Sequence, residues 1–547
     1  MRTAWLRSAG GRWGAAGILA ACALAVVLHQ QVLNTWWIED AAISFAYARN
    51  FVNGEGLVPW PGGERIEGYS NPTWVALLAV AYAMGVEGFT ASKVLGSVFA
   101  VLALWPTWRL ARYAVDPDDR PADLLAPVLL AGSAQFAIWS ASGLENALFG
   151  FLLAAGAARL VREAEAPRFP ASALWFLALA WTRPEGVIYA GVACAWVVFA
   201  AVRDRRFSAT VPGWLALFAG PWLALFGLRL WYFAWPLPNT YYAKLGEEVN
   251  ALWDWHGRGW QQLKAFAGFE MTRPDLPGGT GLSQGFFVPV YLAGLLGLRG
   301  WRRFAWGLAV CAIVVALLVP GPSWLQETGL WPRVRPMRGW LGLRIGGLYA
   351  VLVLGPVLAL GASGLGLHRL GETRWFARGL VFHLLGAAVA FSVYSTGDWM
   401  RGFRWMSLFA PTAAVVLAVG IGELASAADR LARRLGLPRA RAGFGPAGIA
   451  LGSLLLGTSL AVNIVHTAHF VRDPEWAPSL IKLRVDYTQR LADAVFYDEP
   501  IVPLDMDMGA HLWFSRQRPI DMGRLVDIPM AQHRFRHRAF IEEYVFD

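Results

Sequence analysis

The stretch Trp36-Trp37-Ile38-Glu39-Asp40-Ala41-Ala42-Ile43-Ser44-Phe45-Ala46-Tyr47-Ala48-Arg49-Asn50-Phe51 opens a polar island that runs to Trp74 between apolar segments. Glu39 and Asp40 stand a few residues beyond the first apolar run, which extends from about Gly14 to Leu33. Charge that close to a bilayer is costly unless it faces water or a cavity in the protein. Ile43, Phe45, Tyr47 and Phe51 then offer the apolar face of a short helix lying along the membrane surface. A Gly-rich turn leads into Glu64-Arg65-Ile66-Glu67-Gly68-Tyr69-Ser70-Asn71-Pro72-Thr73-Trp74. An acidic pair at the mouth of a membrane cavity is a candidate for chemistry on a lipid-linked substrate. An ordinary solvated loop is the competing reading.

Working outward, the 547 residues are 56% hydrophobic and 16% charged, where soluble proteins carry roughly 25% charged residues. Many apolar runs of about 20 residues point to a polytopic, all-α membrane protein. The net charge of +10 is spread over arginines between these runs, a topology signal that argues against nucleic acid as a partner. Of the three cysteines, Cys22 and Cys194 lie inside apolar runs, with no spacing suited to a disulfide framework or a zinc site.

Apolar length and the basicity of inner loops predict about thirteen spans. The first is a retained helix with its N-terminus, bearing Arg2, Arg7 and Arg12, in the cytoplasm. The run Trp74 to Met84 is too short to cross and reads as a second interfacial helix. Further spans are expected over about Ser92–Leu110, Leu124–Trp139, Leu144–Leu160, Ser172–Trp181, Trp214–Phe233, Phe304–Val319 and Gly448–Ile464, with others between them. An external loop with Arg333, Arg335 and Arg338 breaks the charge rule. The expected organisation is a transmembrane domain over 1–465, with a first external loop at 34–91 and a long one at 234–286. A small periplasmic appendage follows at 466–547.

With this topology the unusual polar motifs all fall on the outer face. They are Glu39-Asp40, Glu64 to Pro72, Ser142-Gly143-Leu144-Glu145-Asn146, Thr182-Arg183-Pro184-Glu185-Gly186, Pro236 to Lys244 and Gly397-Asp398-Trp399-Met400-Arg401. Carboxylates can deprotonate a hydroxyl or bind a metal, and cations can hold an anionic leaving group. Arg65, Arg183, Lys244, Arg401 and Arg404 are the candidate phosphate-binding cations. Glu67, Tyr69, Asn71, Glu145, Glu185, Asn239, Tyr242, Asp398 and Trp399 are candidates for substrate contact. Plainer readings stand beside these. Arg183 before Pro184 can simply end a helix, Glu145 can pair with a neighbouring Arg, and Asp398 after a Gly can be a turn residue. Asp505-Met506-Asp507 reads as structural.

These motifs carry a resemblance. The acidic pair with Ala-Ala-Ile-Ser-Phe-Ala-Tyr-Ala-Arg-Asn, Glu67-Gly-Tyr-Ser-Asn-Pro-Thr-Trp74, Ser142-Gly-Leu-Glu145, Thr182-Arg-Pro-Glu-Gly186, Leu237-Pro-Asn-Thr-Tyr-Tyr-Ala-Lys244 and Gly397-Asp-Trp-Met-Arg-Gly-Phe-Arg404 occur in order. The sequence resembles the GT-C class of integral-membrane glycosyltransferases and is most similar to the family of mycobacterial terminal arabinofuranosyltransferases. That resemblance implies an outward-facing site under the first external loop, a polyprenyl-phosphate sugar donor and an inverting transfer. It also implies an acidic residue of that loop as base, without deciding between Glu39 and Asp40, because the family usually shows Asp-Asp. Asp40, with the shorter and more easily fixed side chain, is the expected base and Glu39 its helper. A divalent cation (Mg, Mn or Ca) is left open.

The expected protein is a bacterial inner-membrane glycosyltransferase, acting as a monomer among membrane lipids with its site toward the periplasm. It would move a sugar, arabinofuranose on the resemblance, to a cell-envelope glycan or glycolipid. The alternatives are another sugar such as mannose, a protein acceptor, or a transporter or flippase of polyprenyl-linked sugars. A transporter is expected to show internal repeats and polar or broken helices at mid-membrane, and the sequence gathers its polar residues at one face instead.

Overall fold

The computed structural model describes residues 9–119, 121–166, 168–204, 207–244, 290, 372–395, 400, 402–436, 444–472, 478–495, 502–505, 507–516, 518–533 and 538–546. The long helices are α1 (Ala9–Val32), α4 (Gly88–Ala114), α7 (Asn146–Glu165), α9 (Gly186–Arg203), α10 (Phe207–Phe233), α12 (Thr373–Tyr394), α14 (Ala410–Arg434) and α15 (Pro446–Arg472). Among the described residues, seven helices are long and apolar enough to cross a membrane, or eight if one bent pair counts as a span. The expected spans between residues 291 and 371, and the arginines at 333, 335 and 338, lie outside the described residues.

The short elements matter most for the end of the bundle that carries Glu39 and Asp40. Helix α2 (Ala41–Val52) and helix α3 (Pro72–Ala83) are the short helices of the segment 34–91. Pro72 sits in the first turn of α3, where its missing N–H costs nothing, and Gly85 at φ +84° follows the end of the helix. Helix α2 is not a one-sided surface helix. Ile43, Phe45 and Tyr47, expected to face a membrane surface, are buried within the protein, and so are Ser44, Arg49 and Asn50, while Phe51 is exposed.

The run read as one span over Leu124–Trp139 is broken. Helices α5 (Leu125–Ala131) and α6 (Ala134–Ser140) meet at 48°. Gly132 and Ser133 make the break. The Ser133 hydroxyl accepts from Phe136 N at 3.4 Å, and Ala134 N donates to Asn463 Oδ1 of α15 at 2.8 Å. Helix α8 (Ser172–Thr182) stops where Pro184 forces Arg183 into an extended backbone, φ −155° and ψ 146°.

Polar groups sort to the two ends of the bundle. At the end that the basic loops assign to the inside, Arg378 donates to Ala114 O at 2.7 Å and pairs with Glu423 at 3.0 Å, and Arg374 pairs with Asp116. The other end carries the loops around Glu39, Asn71, Glu145 and Arg183.

The residues after α15 fold back onto that second end. Helix α16 (Pro478–Val495) precedes β1 (Leu504–Asp505), α17 (Met508–Phe514), β2 (Ile520–Asp521), α18 (Ile528–His533) and α19 (Arg538–Phe546). The two strands pair in parallel, Leu504 opposite Ile520. Helix α17 lies on α2: Arg49 donates to Leu512 O at 3.1 Å and also to Trp513 O.

Candidate active site around Glu39 and Arg183

The backbone carrying the acidic pair is fixed from several directions. Ile38 N donates to Ser142 O at 2.9 Å, and the Trp36 indole donates to Ile138 O at 2.9 Å. Lys93, in the first turns of α4, donates to Leu33 O at 2.9 Å, to Ala141 O at 2.6 Å and to Trp36 O. Its ammonium also lies 4.5 Å from the Trp37 ring centroid. Gly143 explains why the Ser-Gly-Leu-Glu run needs its glycine. Its φ is +91°, and a Cβ there would stand 2.9 Å from the Ala41 Cβ.

The two acids of the pair differ in surroundings. Glu39 is 7% exposed, and its Oε1 accepts the backbone N–H of Ala510. Asp40 is half-buried at the start of α2, and its carboxylate caps none of the helix's own first-turn amides.

Beside them runs a buried polar chain drawn from four segments. Ser44 donates to Asn71 Oδ1 at 3.2 Å, and Asn71 Nδ2 donates to Glu145 Oε2 at 2.6 Å. Arg183 pairs with Glu145 through Nη1 and with Glu185 through Nε. Burial pushes the Arg183 guanidinium down, but Glu185 and Glu145 outweigh it and leave the group above its ordinary value. The Arg183 head lies 5.0 Å from the Trp405 ring, which it shares with Arg404 at 5.4 Å; Arg404 also reaches the Trp139 ring at 5.9 Å. Arg404 starts α13 (Arg404–Leu408), and Asn146 Nδ2 donates to Ser407 Oγ there at 2.8 Å.

Other sequence candidates form a second group. Glu67 is gripped by Arg229 of α10, Nε to Oε1 at 2.7 Å and Nη2 to Oε2. Burial raises the Glu67 carboxyl, against the opposing hydrogen bonds and charge of Arg229. Tyr69 is buried edge-on to Tyr47 at 4.8 Å. Asn239 opens α11 (Asn239–Lys244) and ties the tail down, donating from Nδ2 to Leu525 O at 2.9 Å and Arg524 O at 3.1 Å. Tyr242 packs edge-on to Trp235 at 5.6 Å, and the exposed Arg65 lies 4.7 Å over Tyr232.

The structure therefore brings Asn71, Glu145, Arg183, Glu185 and Arg404 together, and places Glu67, Tyr69, Asn239 and Arg65 around the docked tail and the end of α10. Arg401, Asp398, Trp399 and the Lys244 side chain lie outside the described residues. Among the described residues, no three His, Cys, Asp or Glu side chains are grouped to hold a metal; Asp505 pairs with His511 at 3.2 Å. Sequence reasoning missed Lys93, Arg229 and Arg49. A lone charge at the end of an apolar run was the available signal for the first two; Arg49 stood inside the quoted run Ala41 to Asn50, with nothing there to point to the tail.

Neither a family model nor a curated protein sequence matches the chain. Among solved structures it is similar to the archaeal oligosaccharyltransferase AglB from Archaeoglobus fulgidus in complex with an inhibitory peptide and a dolichol-phosphate. The two are 14% identical with a TM-score of 0.50, covering 94% of this chain and 65% of AglB. The chain thus spans just under two-thirds of that protein's length. ArnT from Cupriavidus metallidurans bound to undecaprenyl phosphate is similar at 12% identity and a TM-score of 0.45, over 93% of this chain and 86% of ArnT. The likeness is one of fold: over 94% of its length this helical chain, with seven described helices long and apolar enough to cross a membrane, follows the fold of the archaeal oligosaccharyltransferase.

Proposed function

We propose that the chain is a GT-C-class glycosyltransferase that takes a sugar from a polyprenyl-phosphate donor and passes it, with inversion, to a cell-envelope glycan or glycolipid. The observation that carries this reading is the shared fold with a dolichol-phosphate-bound oligosaccharyltransferase, over 94% of the chain. The different burial of the acidic pair supports a division of labour. Asp40, half-buried at a helix start, acts as base, and Glu39, committed to the Ala510 amide, acts as its anchor.

In this reaction Asp40 takes the acceptor hydroxyl proton as that oxygen bonds to the anomeric carbon. The bond from that carbon to the phosphate oxygen breaks, and the lipid phosphate leaves with the electron pair. Lys244, Arg401, Arg404 and, at the rim, Arg65 are the cations assigned to the phosphate. Arg183 already serves two carboxylates and has little charge left to offer, so its assignment is to order the cluster beside Arg404. Arabinofuranose is the proposed sugar, and the bacterial inner membrane with the site outward the proposed location. The purified protein, offered polyprenyl-phosphate pentoses and hexoses beside nucleotide sugars, should release lipid phosphate from the first group. Turnover of nucleotide sugars alone would overturn the reading.

A further inference from the structure

The geometry points to helix α17 of the C-terminal tail as the element that sets the position of the acidic pair, with Gly509 as a positioning residue. The inference deepens the reading of Asp40 as base and rests on it. An added Cβ at Gly509 would stand 2.2 Å from the Glu39 carbonyl oxygen, 3.1 Å from its carbonyl carbon and 3.2 Å from Oε1. The first two are backbone atoms, so no side-chain rotation relieves the overlap. That same carbonyl accepts from Ala42 N at 3.0 Å, one of the bonds that start α2. Asp40 is the next residue, and its peptide plane contains the Glu39 carbonyl.

The grip is double. Ala510 N, one of the first-turn amides for which α17 has no internal partner, donates to Glu39 Oε1. Further along, Arg49 holds the carbonyls of Leu512 and Trp513, with its guanidinium 4.9 Å from the Trp513 ring. Trp513 also packs edge-on to Phe45 at 6.1 Å. Helix α2 is thus held by α17 both ahead of its start and near its end. A catalytic group displaced by ~1 Å loses roughly 10²-fold in rate, so the packing of a tail glycine controls the reach of a carboxylate far away in the sequence.

The test uses the full-length protein in nanodiscs as wild type, Gly509→Ala and a control, Gly457→Ala, whose Cβ meets nothing within 4 Å. Three quantities are read: hydrogen exchange of the amides of residues 41–44, binding of undecaprenyl phosphate, and kcat with the polyprenyl-phosphate sugar that the wild type turns over. Gly509→Ala should speed exchange at 41–44 and cut kcat about 10-fold or more, with undecaprenyl phosphate binding within twofold of wild type and Gly457→Ala unchanged throughout. A tail that merely stabilised the fold would lower binding and kcat together. Should Gly509→Ala fail to fold, Ala510→Pro removes the amide donated to Glu39 without costing an intrahelical bond, and the same changes are expected. Unchanged exchange at 41–44 overturns the inference, whatever kcat does. Faster exchange with unchanged kcat also overturns it when Asp40→Asn is inactive. If Asp40→Asn is active too, the reading of the base has failed instead, and the exchange result still decides the coupling.

Discussion

Arg183 and Glu145 form an ion pair with both side chains nearly excluded from solvent, joining two loops 38 residues apart in sequence. Glu145 also accepts from Asn71, and Arg183 from its other side reaches Glu185. Removing Glu145 leaves Arg183 with Glu185 alone and takes the acceptor from the buried Asn71 amide, and a buried donor left unsatisfied costs about 1–3 kcal/mol. Glu145→Ala should therefore lower the melting temperature far more than Glu64→Ala, which removes an exposed carboxylate. Equal shifts for the two variants would show that the pair contributes nothing.

The acidic pair divides into a buried carboxylate held by Ala510 N and a half-buried one at the start of α2. Asp40→Asn keeps the shape and removes the base, so turnover should fall by about 10²–10⁴-fold with undecaprenyl phosphate binding intact. Glu39→Gln retains an oxygen to accept from Ala510 and should cost less. The reverse order of effects would exchange the two roles, and no effect from either would remove the reaction from this loop.

Asp521 gives the tail a pH dependence with a definite sign. It is fully buried, and burial pushes its carboxyl from 3.8 up to about 6, against bonds from the amides of Val526 and Leu525. An acid whose pKa is higher folded than unfolded binds its proton more tightly when folded, so stability falls as pH rises through that window. The largest loss, above pH 6, is at most about 3 kcal/mol. Asp521→Asn should melt higher than wild type at pH 7.5, and the gap should close near pH 4. A gap that widens on acidification would contradict the sign.

Topology has a direct test in accessible positions. Asn239 is buried under the tail and would label poorly, whereas Glu64 and Arg434 are exposed at opposite ends of the bundle. Cysteines at those two sites, in a background lacking the native ones, should react with an impermeant maleimide from opposite sides of the membrane, Glu64→Cys from outside. Labelling of both from one side would remove the common outer face on which the proposed site depends.

Much of the frame was legible because length and hydropathy are local properties. Trp74 to Met84 is too short to cross, and α3 there is short. Pro184 announced the end of α8, and the motif around Glu145 met the one around Arg183 as their shared face required. The break at Gly132-Ser133 carried a legible signal, a glycine followed by a capping serine, but apolar length outweighed it in the reading. Other contacts were harder to read. Lys93 stood out as a lone charge beside an apolar run but not as a brace, because its acceptors are backbone carbonyls, which every residue possesses. The tail read as an appendage because its docking joins residues more than 460 positions apart, as between Arg49 and Leu512, and no periodicity encodes such a pairing.

The tryptophan contacts at the outer end have a consequence for what can change there. Trp36, Trp74 and Trp139 each donate an indole N–H to a main-chain oxygen, of Ile138, Gly143 and Gly402 respectively. The donor in each case is an irreplaceable ring; two acceptors belong to glycines at positive φ, Gly143 and Gly402, and only the Ile138 oxygen survives substitution of the side chain beside it. Tolerance is therefore one-sided. A residue such as Ile138 can be exchanged for another of similar bulk with the scaffold intact, whereas each indole is a fixed point around which the loops can be redesigned.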